Sequence, residues 1–204
     1  QKEYLSNLRN ITLSDEDFNK IFLKKKKIAL FALHYEPEAA TNILGKNFND
    51  QVLAIETLSK LLNDEWLILV KEHKDPPQSY KFRGKLFFER LKKVDNLYFI
   101  NKDYKLTEII EKVDLISTIT GTAGWEAINL GKKCLVFGNA WYQEVYGCTK
   151  YNDELTYDKF LKELNIPFDK QKFKESFNEL SKRLGEGIVD EYFVKMVKDF
   201  DYLK

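Results

Sequence analysis

The sequence predicts an α/β fold: a Rossmann-like, doubly wound parallel sheet of about five strands, followed by a helical tail. Short apolar runs alternate with stretches of helical spacing as far as about residue 150, and beyond Asp153 the strand-like runs stop. The chain has 204 residues, 44% of them hydrophobic, which is enough to bury a full core. Strands joined by helical crossovers pair in parallel and bind ligands at their carboxyl ends. The loops that follow the strands are therefore the first places to look for function.

The first elements set the pattern. Residues 28–33 follow four lysines and are continuously apolar, as expected of a strand buried on both faces. Residues 50–62 carry apolar side chains at helical spacing, with Asn49 or Asp50 as a cap, and predict a helix. Residues 66–70 are the next apolar run and predict the second strand.

The same alternation continues to residue 137. It predicts a helix near residues 87–94, a strand at 97–100, a helix at 106–113, a strand at 115–119, a helix at 123–130 and a strand at 134–137. Three helices are predicted in the tail, at residues 155–164, 173–184 and 192–200. We therefore divide the chain into a charged helical lead (1–27), a Rossmann-like domain (28–150) and carboxyl-terminal helices that pack on it (151–204).

Bulk properties exclude several classes of protein. Lysine and arginine number 33 against 32 acidic residues, so the overall charge gives no reason to expect a nucleic-acid partner. Cys134 in an apolar run and Cys148 in a predicted polar loop form neither a disulfide framework nor a metal motif. The apolar runs are far shorter than the roughly 20 residues that span a bilayer. We expect a cytoplasmic protein and leave open a peripheral association with the inner membrane. Because residue 1 is Gln, we also leave open that the chain is a piece of a larger protein.

The strongest local signal follows the fourth predicted strand. There, hydroxyl and glycine residues precede the start of a helix: Ser117, Thr118, Thr120, Gly121 and Thr122. Backbone N–H groups at a helix start lack partners, the helix dipole favours negative charge, and glycine lets a phosphate come close. Neither a Walker motif nor a dinucleotide fingerprint is present. We predict an anion site here; the alternative is that Thr122 simply caps the helix and Gly121 forms a turn. Glu126 lies one turn into the helix, where it would bind a ribose or sugar hydroxyl or, alternatively, complement the helix dipole.

Two further loops at this sheet edge carry polar side chains. The only two histidines, His34 and His73, each come directly or shortly after an apolar strand, His34 beside Glu36 and His73 beside Lys71. Histidine titrates near neutrality and can bind phosphate or protonate a leaving group, although each residue alone fits an ordinary packing role. After the fifth strand, the aromatic loop 137–142 can stack on a base or pack as a lid against the tail.

The motifs at these loops together resemble bacterial capsular and surface-polysaccharide glycosyltransferases. The resemblance rests on His-Tyr-Glu-Pro-Glu-Ala at 34–39, Lys-Glu-His at 71–73, Ser-Thr-Ile-Thr-Gly-Thr-Ala-Gly-Trp-Glu-Ala at 117–127 and Val-Phe-Gly at 136–138, and it covers about residues 28–142. It implies the carboxyl-terminal, nucleotide-binding half of a GT-B enzyme, similar to transferases that use CMP-linked Kdo or sialic acid. The sequence departs from the family at Lys74, where a proline is expected.

From this resemblance we expect a glycosyltransferase that takes a nucleotide-activated sugar, with CMP-linked donors as one option, to a saccharide or glycolipid acceptor. The turn residues would hold phosphate, His73 and Lys71 would neutralise the leaving group, and His34 and Glu36 would contact the sugar or serve in catalysis. The resemblance implies no obligatory metal or other cofactor. The amino-terminal Rossmann half would be the partner. A nucleotide-sugar 2-epimerase and a non-catalytic donor-binding module are the alternatives.

Overall fold

A computed structural model of the chain describes residues 2–36, 38, 40–73 and 83–184. Its centre is a sheet of six parallel strands in the order β3-β2-β1-β4-β5-β6. The strands are β1 (Lys27–Ala32), β2 (Trp66–Lys71), β3 (Leu97–Ile100), β4 (Leu115–Thr118), β5 (Cys134–Val136) and β6 (Cys148–Lys150). The predicted Rossmann-like α/β class is confirmed.

Helices cover both faces of the sheet. They are α1 (Lys2–Ile11), α2 (Asp15–Ile21), α3 (Gln51–Leu62), α4 (Lys85–Leu91), α5 (Leu106–Lys112), α6 (Thr122–Asn129), α7 (Tyr157–Asn165) and α8 (Lys170–Ser181), with a π-helical turn at Ala40–Leu44 and a 3₁₀ turn at Lys46–Asn49. Asp50 caps α3 as predicted, since its carboxylate accepts hydrogen bonds from the backbone N–H groups of Val52 and Leu53.

Strand alternation divides the core into two layers. Ala29 and Phe31 of β1 belong to the layer under α3, whereas Leu30 belongs to the layer that contains residues of α5 and α6. Every residue of β2 is buried, as expected of a central parallel strand. Both faces of the sheet are therefore covered, and its carboxyl edge is where polar side chains gather.

The sixth strand, β6, is not among the strands that the sequence predicts. Cys148, predicted in a polar loop, lies in β6, where it pairs in register with Cys134 of β5. β6 is a short, half-buried edge strand without an apolar run, so periodicity gave no signal for it. The predicted helix at 192–200 and the departure at Lys74 lie outside the described residues. The three-part division of the chain stays a prediction.

The strand order places a topological switch point between β1 and β4. From β1 the chain proceeds outward through β2 and β3, then crosses back to β4 on the other side of β1. In open α/β sheets the crevice outside such a point is the usual ligand site. Within the described part of the chain, no helix is long and apolar enough to cross a membrane.

Candidate functional site

A cavity of about 540 Å³ lies at the carboxyl ends of β1, β2 and β4, at the switch point. This volume is in the range of pockets that hold small organic ligands. Its lining comes from five loops and comprises residues 32–35, Glu38, residues 71–73 and 102–106, Thr118, residues 120–123, Glu126 and Trp141. Both histidines thus line one cavity, as their positions after parallel strands predicted.

The Gly/Thr turn between β4 and α6 forms one wall of the cavity. Gly121 is the N-cap of α6, so the cap has no side chain to accept hydrogen bonds from the first helical amides. The Gly124 amide donates to the Gly121 carbonyl at 3.3 Å, while the amides of Thr122 and Ala123 precede the first regular helical bond. This leaves the positive end of the helix dipole facing the cavity, an arrangement that suits a bound anion.

Gly121 is required for space rather than for backbone conformation. Its φ of −70° is open to any residue. A Cβ at this position, however, would lie 2.8 Å from the Thr118 Oγ1 and 3.2 Å from the Cε1 of His34. Only glycine lets the turn approach the imidazole this closely.

Thr120 carries a buried hydroxyl that has no hydrogen-bond partner among the described residues. Its backbone N–H is used, because it donates to the Nε2 of His34 at 3.1 Å. Its methyl group packs close to Gly138, where a Cβ added to the glycine would lie 2.7 Å from the Thr120 Cγ2. Buried hydroxyls are almost always satisfied, so this orphan beside the cavity is a group whose missing partner a ligand atom or a water molecule would supply.

His34 supports the turn. Because an amide N–H can only donate, the Nε2 of His34 accepts from Thr120, and Nδ1 carries the hydrogen and donates to Glu38 at 3.0 Å. The Thr118 hydroxyl lies 3.1 Å from the same Nε2 and also reaches the carbonyl of Ala32 at 3.3 Å. Both ring nitrogens are thus engaged within the protein, where they contact the turn and Glu38, and the predicted contact with the sugar or role in catalysis stays a prediction.

Glu38, which lines the cavity, accepts this hydrogen bond. The hydrogen bond from His34 lowers the pKa of the Glu38 carboxyl, an effect that outweighs partial burial and is reinforced by the electrostatic influence of His34 and His73 and by the Thr41 hydroxyl. Among the acidic side chains of this loop, Glu38 is the one that lines the cavity.

Glu36, the residue predicted in that role, turns elsewhere. Its carboxylate accepts from the Nε of Arg83 at 2.9 Å, and it does not line the cavity. Arg83 is 1% exposed and also donates to Glu72 and, at 2.5 Å, to the carbonyl of His34. Burial opposes the charge of Arg83, but the two carboxylates outweigh it and raise the pKa of the guanidinium further.

The buried ion pair extends into the amino-terminal lead. The Tyr4 hydroxyl of α1 donates to Glu72 at 2.6 Å, and burial followed by the charge of Glu72 raises the pKa of Tyr4. Glu72 also accepts from the backbone N–H of His73 at 2.9 Å. Tyr4, Glu72 and Arg83 thus hold the β1 and β2 loops at a fixed separation, and we call these three residues the buried clamp.

His73 and Lys71 lie in the wall opposite the turn. His73 is exposed to the cavity, with its ring 5.9 Å from that of Tyr35. The ammonium of Lys71 is largely buried and donates to the Lys102 carbonyl at 2.7 Å. Both predicted residues therefore line the cavity on the β2 side, where Lys71 supplies a positive charge and His73 an exposed imidazole ring.

Two more predicted residues differ in placement. Ser117 is fully buried, and its hydroxyl donates to the carbonyl of Leu135 at 3.1 Å, because strand alternation turns it away from Thr118 and into the sheet. Ser117 is not among the residues that line the cavity, and its predicted contact with phosphate stays a prediction. Glu126 lines the cavity one turn into α6, and burial raises the pKa of its carboxyl.

Sequence reasoning missed Arg83, Glu38 and Trp141 as site residues. Arg83 follows no predicted strand, and nothing in its local pattern marks it as buried. Glu36 and Glu38 are both carboxylates of the loop after β1, and their spacing does not predict which of them lines the cavity. Trp141 was noted only as part of an aromatic loop, yet it lines the cavity and is 46% exposed.

Three solved structures that share this fold are a sugar transferase, a nucleotide-sugar epimerase and a sugar-phosphate synthase. The KpsC beta Kdo 2,7 transferase of Thermosulfurimonas dismutans is 18% identical with a TM-score of 0.52, covering 84% of this chain and 55% of that one. The UDP-GlcNAc 2-epimerase of Methanocaldococcus jannaschii is 20% identical (TM-score 0.51; 90% and 50% covered). A UDP-forming trehalose-phosphate synthase of Burkholderia vietnamiensis is 9% identical (TM-score 0.51; 86% and 46% covered). The chain spans about half the length of each.

No curated protein matches this chain at a significant level. The model of one family, described as capsule polysaccharide biosynthesis protein, matches residues 7–175. This match confirms the resemblance to capsule polysaccharide biosynthesis proteins, and the solved structures confirm the fold. Since the matched region includes every strand of the sheet and every wall of the cavity, the chain belongs to the family of capsule polysaccharide biosynthesis proteins.

Proposed function

We propose that this chain is the donor-binding half of a GT-B glycosyltransferase, and that its cavity holds a nucleotide-activated sugar. The observation that carries the proposal is the open start of α6 at the cavity, where a glycine cap is preceded by the unpartnered hydroxyl of Thr120. A phosphate there would accept from the amides of Thr122 and Ala123 and from that hydroxyl. It would satisfy groups that the described residues leave without partners.

The same cavity supplies groups for the transfer step. When the bond between the anomeric carbon and the phosphate oxygen breaks, negative charge grows on the departing nucleotide. His73 and Lys71, in the wall across from α6, would stabilise that charge together with the helix dipole. Glu126 would accept a hydrogen bond from a hydroxyl of the ribose or of the donor sugar. The proposal assigns no obligatory metal and no other cofactor.

The acceptor belongs to the other half of the enzyme in this proposal. The similar structures are about twice as long as this chain, as expected if an amino-terminal Rossmann half completes the cleft. That half would bring the saccharide or glycolipid acceptor, and the assembled enzyme would work at the cytoplasmic face of the inner membrane. The chain alone would bind donor and transfer none of it, and CMP-linked donors are the first to test.

Calorimetric titration of the chain with CMP, UDP and GDP tests the proposal. Wild type should bind at least one nucleotide, and Thr122→Ala should weaken binding by about 1–3 kcal/mol if the hydroxyl donates to a charged phosphate. His73→Ala should weaken it as well. Thr57→Ala on α3 is the matched control, because the Thr57 hydroxyl is used within its own helix, where it donates to the carbonyl of Leu53. Failure of wild type to bind any of the three nucleotides would refute the proposal.

One observation keeps a 2-epimerase as the second candidate. Two carboxylates, Glu38 and Glu126, line the cavity, and an epimerase needs an acidic or basic side chain that can move the proton at C2 of the sugar. Incubation of the full-length protein with UDP-N-acetylglucosamine separates the two activities. Appearance of the 2-epimer would favour the epimerase, whereas its absence together with sugar transfer to an acceptor would favour the transferase.

A further inference from the structure

Trp141 is the most exposed aromatic side chain that the cavity presents to a ligand. It follows β5, lines the cavity and is 46% exposed, whereas Trp66 is buried in the core. A large indole left open in a concave site beside hydrogen-bonding groups is typical of a surface that binds a ring.

The indole is held firmly by its neighbours. The ring of Trp125 lies 4.7 Å from that of Trp141 and packs in turn against Phe173 and Phe177 of α8. Tyr142, whose ring is 5.4 Å away, approaches Trp141 edge-on. A side chain fixed in this way loses little conformational freedom when a ligand covers it.

Trp141 is also tied to the Gly/Thr turn. The hydroxyl of Tyr142, the next residue, donates to the carbonyl of Gly121 at 2.5 Å. This contact depends on Gly124, since a Cβ there would lie 2.3 Å from the same hydroxyl. The indole therefore has a set position relative to the amides that would hold the phosphate.

We infer that Trp141 is the platform for the sugar ring of the donor, with the apolar C–H face of the sugar stacked on the indole. This inference rests on the proposed function and specifies which part of the donor lies on the β5 side of the turn. Glu126 lines the same cavity and follows Trp125 in the chain. A carboxylate accepts hydrogen bonds and cannot donate them, which suits the hydroxyls of a sugar better than the carbonyl oxygens of a base.

The nucleoside would lie on the side of the cavity away from Trp141, since β3 and β5 lie on opposite sides of β1 and β4 in the sheet. That side is formed by the β3–α5 loop, where Tyr104 stacks on Phe18 with 4.4 Å between the ring centres and donates a hydrogen bond to Asp15. With the phosphate at the turn, the donor would extend toward this loop with its nucleoside and toward Trp141 with its sugar.

Paired titrations of the full chain test the inference. Affinity is measured for UDP and UDP-N-acetylglucosamine, and for CMP and CMP-N-acetylneuraminic acid, in wild type, Trp141→Ala, Trp141→Phe and the control Ile166→Ala, an exposed apolar residue elsewhere. Trp141→Ala should weaken binding of the nucleotide sugar by about tenfold and leave the free nucleotide unchanged, while Trp141→Phe should retain most of the affinity. Circular dichroism confirms that each variant is folded.

Three results would overturn the inference, and they are distinct. If Trp141→Ala binds the nucleotide sugar as wild type does, the indole is not a ligand contact. If it loses affinity for free nucleotide and nucleotide sugar alike, the indole stacks on the base. If wild type binds no free nucleotide and no nucleotide sugar, the proposed function itself fails.

Discussion

Thr120→Val should stabilise the free protein and weaken nucleotide binding. The substitution replaces the buried, unpartnered Oγ1 with a methyl group and keeps the Cγ2 that packs at Gly138. An unsatisfied buried hydroxyl costs about 1–3 kcal/mol in mutational data, and Thr120 as a residue is only half-buried, so we expect a gain of about 1 kcal/mol. For a chain of this size that gain is a rise in Tm of about 2–4 °C.

Thr118→Val is the matched comparison, two residues earlier at the end of β4. Its hydroxyl lies within hydrogen-bond distance of His34 and of the carbonyl of Ala32, so its removal should destabilise the protein by about 1–2 kcal/mol. Urea unfolding followed by tryptophan fluorescence measures both variants. If Thr120→Val lowers the free energy of unfolding as Thr118→Val does, the Thr120 hydroxyl has a partner within the protein and is not reserved for a ligand.

Other substitutions test the support of the site. Arg83→Met leaves Glu72, 2% exposed, without its buried partner and should lower the free energy of unfolding by about 3–5 kcal/mol in urea; a loss below about 1 kcal/mol would contradict the clamp. Gly121→Ala should abolish measurable nucleotide binding by calorimetry, because its Cβ would overlap Thr118 and push the turn aside. Since burial raises the pKa of Glu126, the folded protein holds that proton to higher pH than the unfolded chain does. Stability from this group is complete below the unfolded pKa and is lost as pH rises through the folded one, so Glu126→Gln should flatten the fall in Tm over that window.

Most of the fold could be predicted because its strands are buried on both faces. β1 and β2 contain unbroken apolar runs, and each is next to an amphipathic helix in the chain. The sequence alone therefore predicts that these segments are strands and in which order strands and helices follow one another. β6 was missed for the opposite reason: its three residues are half-buried at the sheet edge and carry no apolar pattern. Periodicity reports burial, and it fails where burial is partial.

The site was predictable where chemistry follows from chain position. The turn at Gly121 lines the cavity because residues between a strand and the following helix lie at the carboxyl edge of a parallel sheet. Ser117 and Glu36 lie away from the cavity because each contacts a partner distant in sequence, Leu135 in one case and Arg83 in the other. Contacts of that kind depend on how the loops pack, and the local pattern carries no information about them.

The most direct test of the central claim is an NMR titration that follows backbone amides while UDP or CMP is added to the isotopically labelled chain. If a phosphate binds at the start of α6, the amide resonances of Thr122 and Ala123 should move most, and they should move together with that of Gly121. The control Thr57→Ala should give the same map, whereas Thr120→Val should need higher nucleotide concentrations to reach it. If the nucleotide leaves these amides unmoved, or shifts resonances only at sites remote from the cavity, the phosphate does not bind at the Gly/Thr turn and the account is wrong.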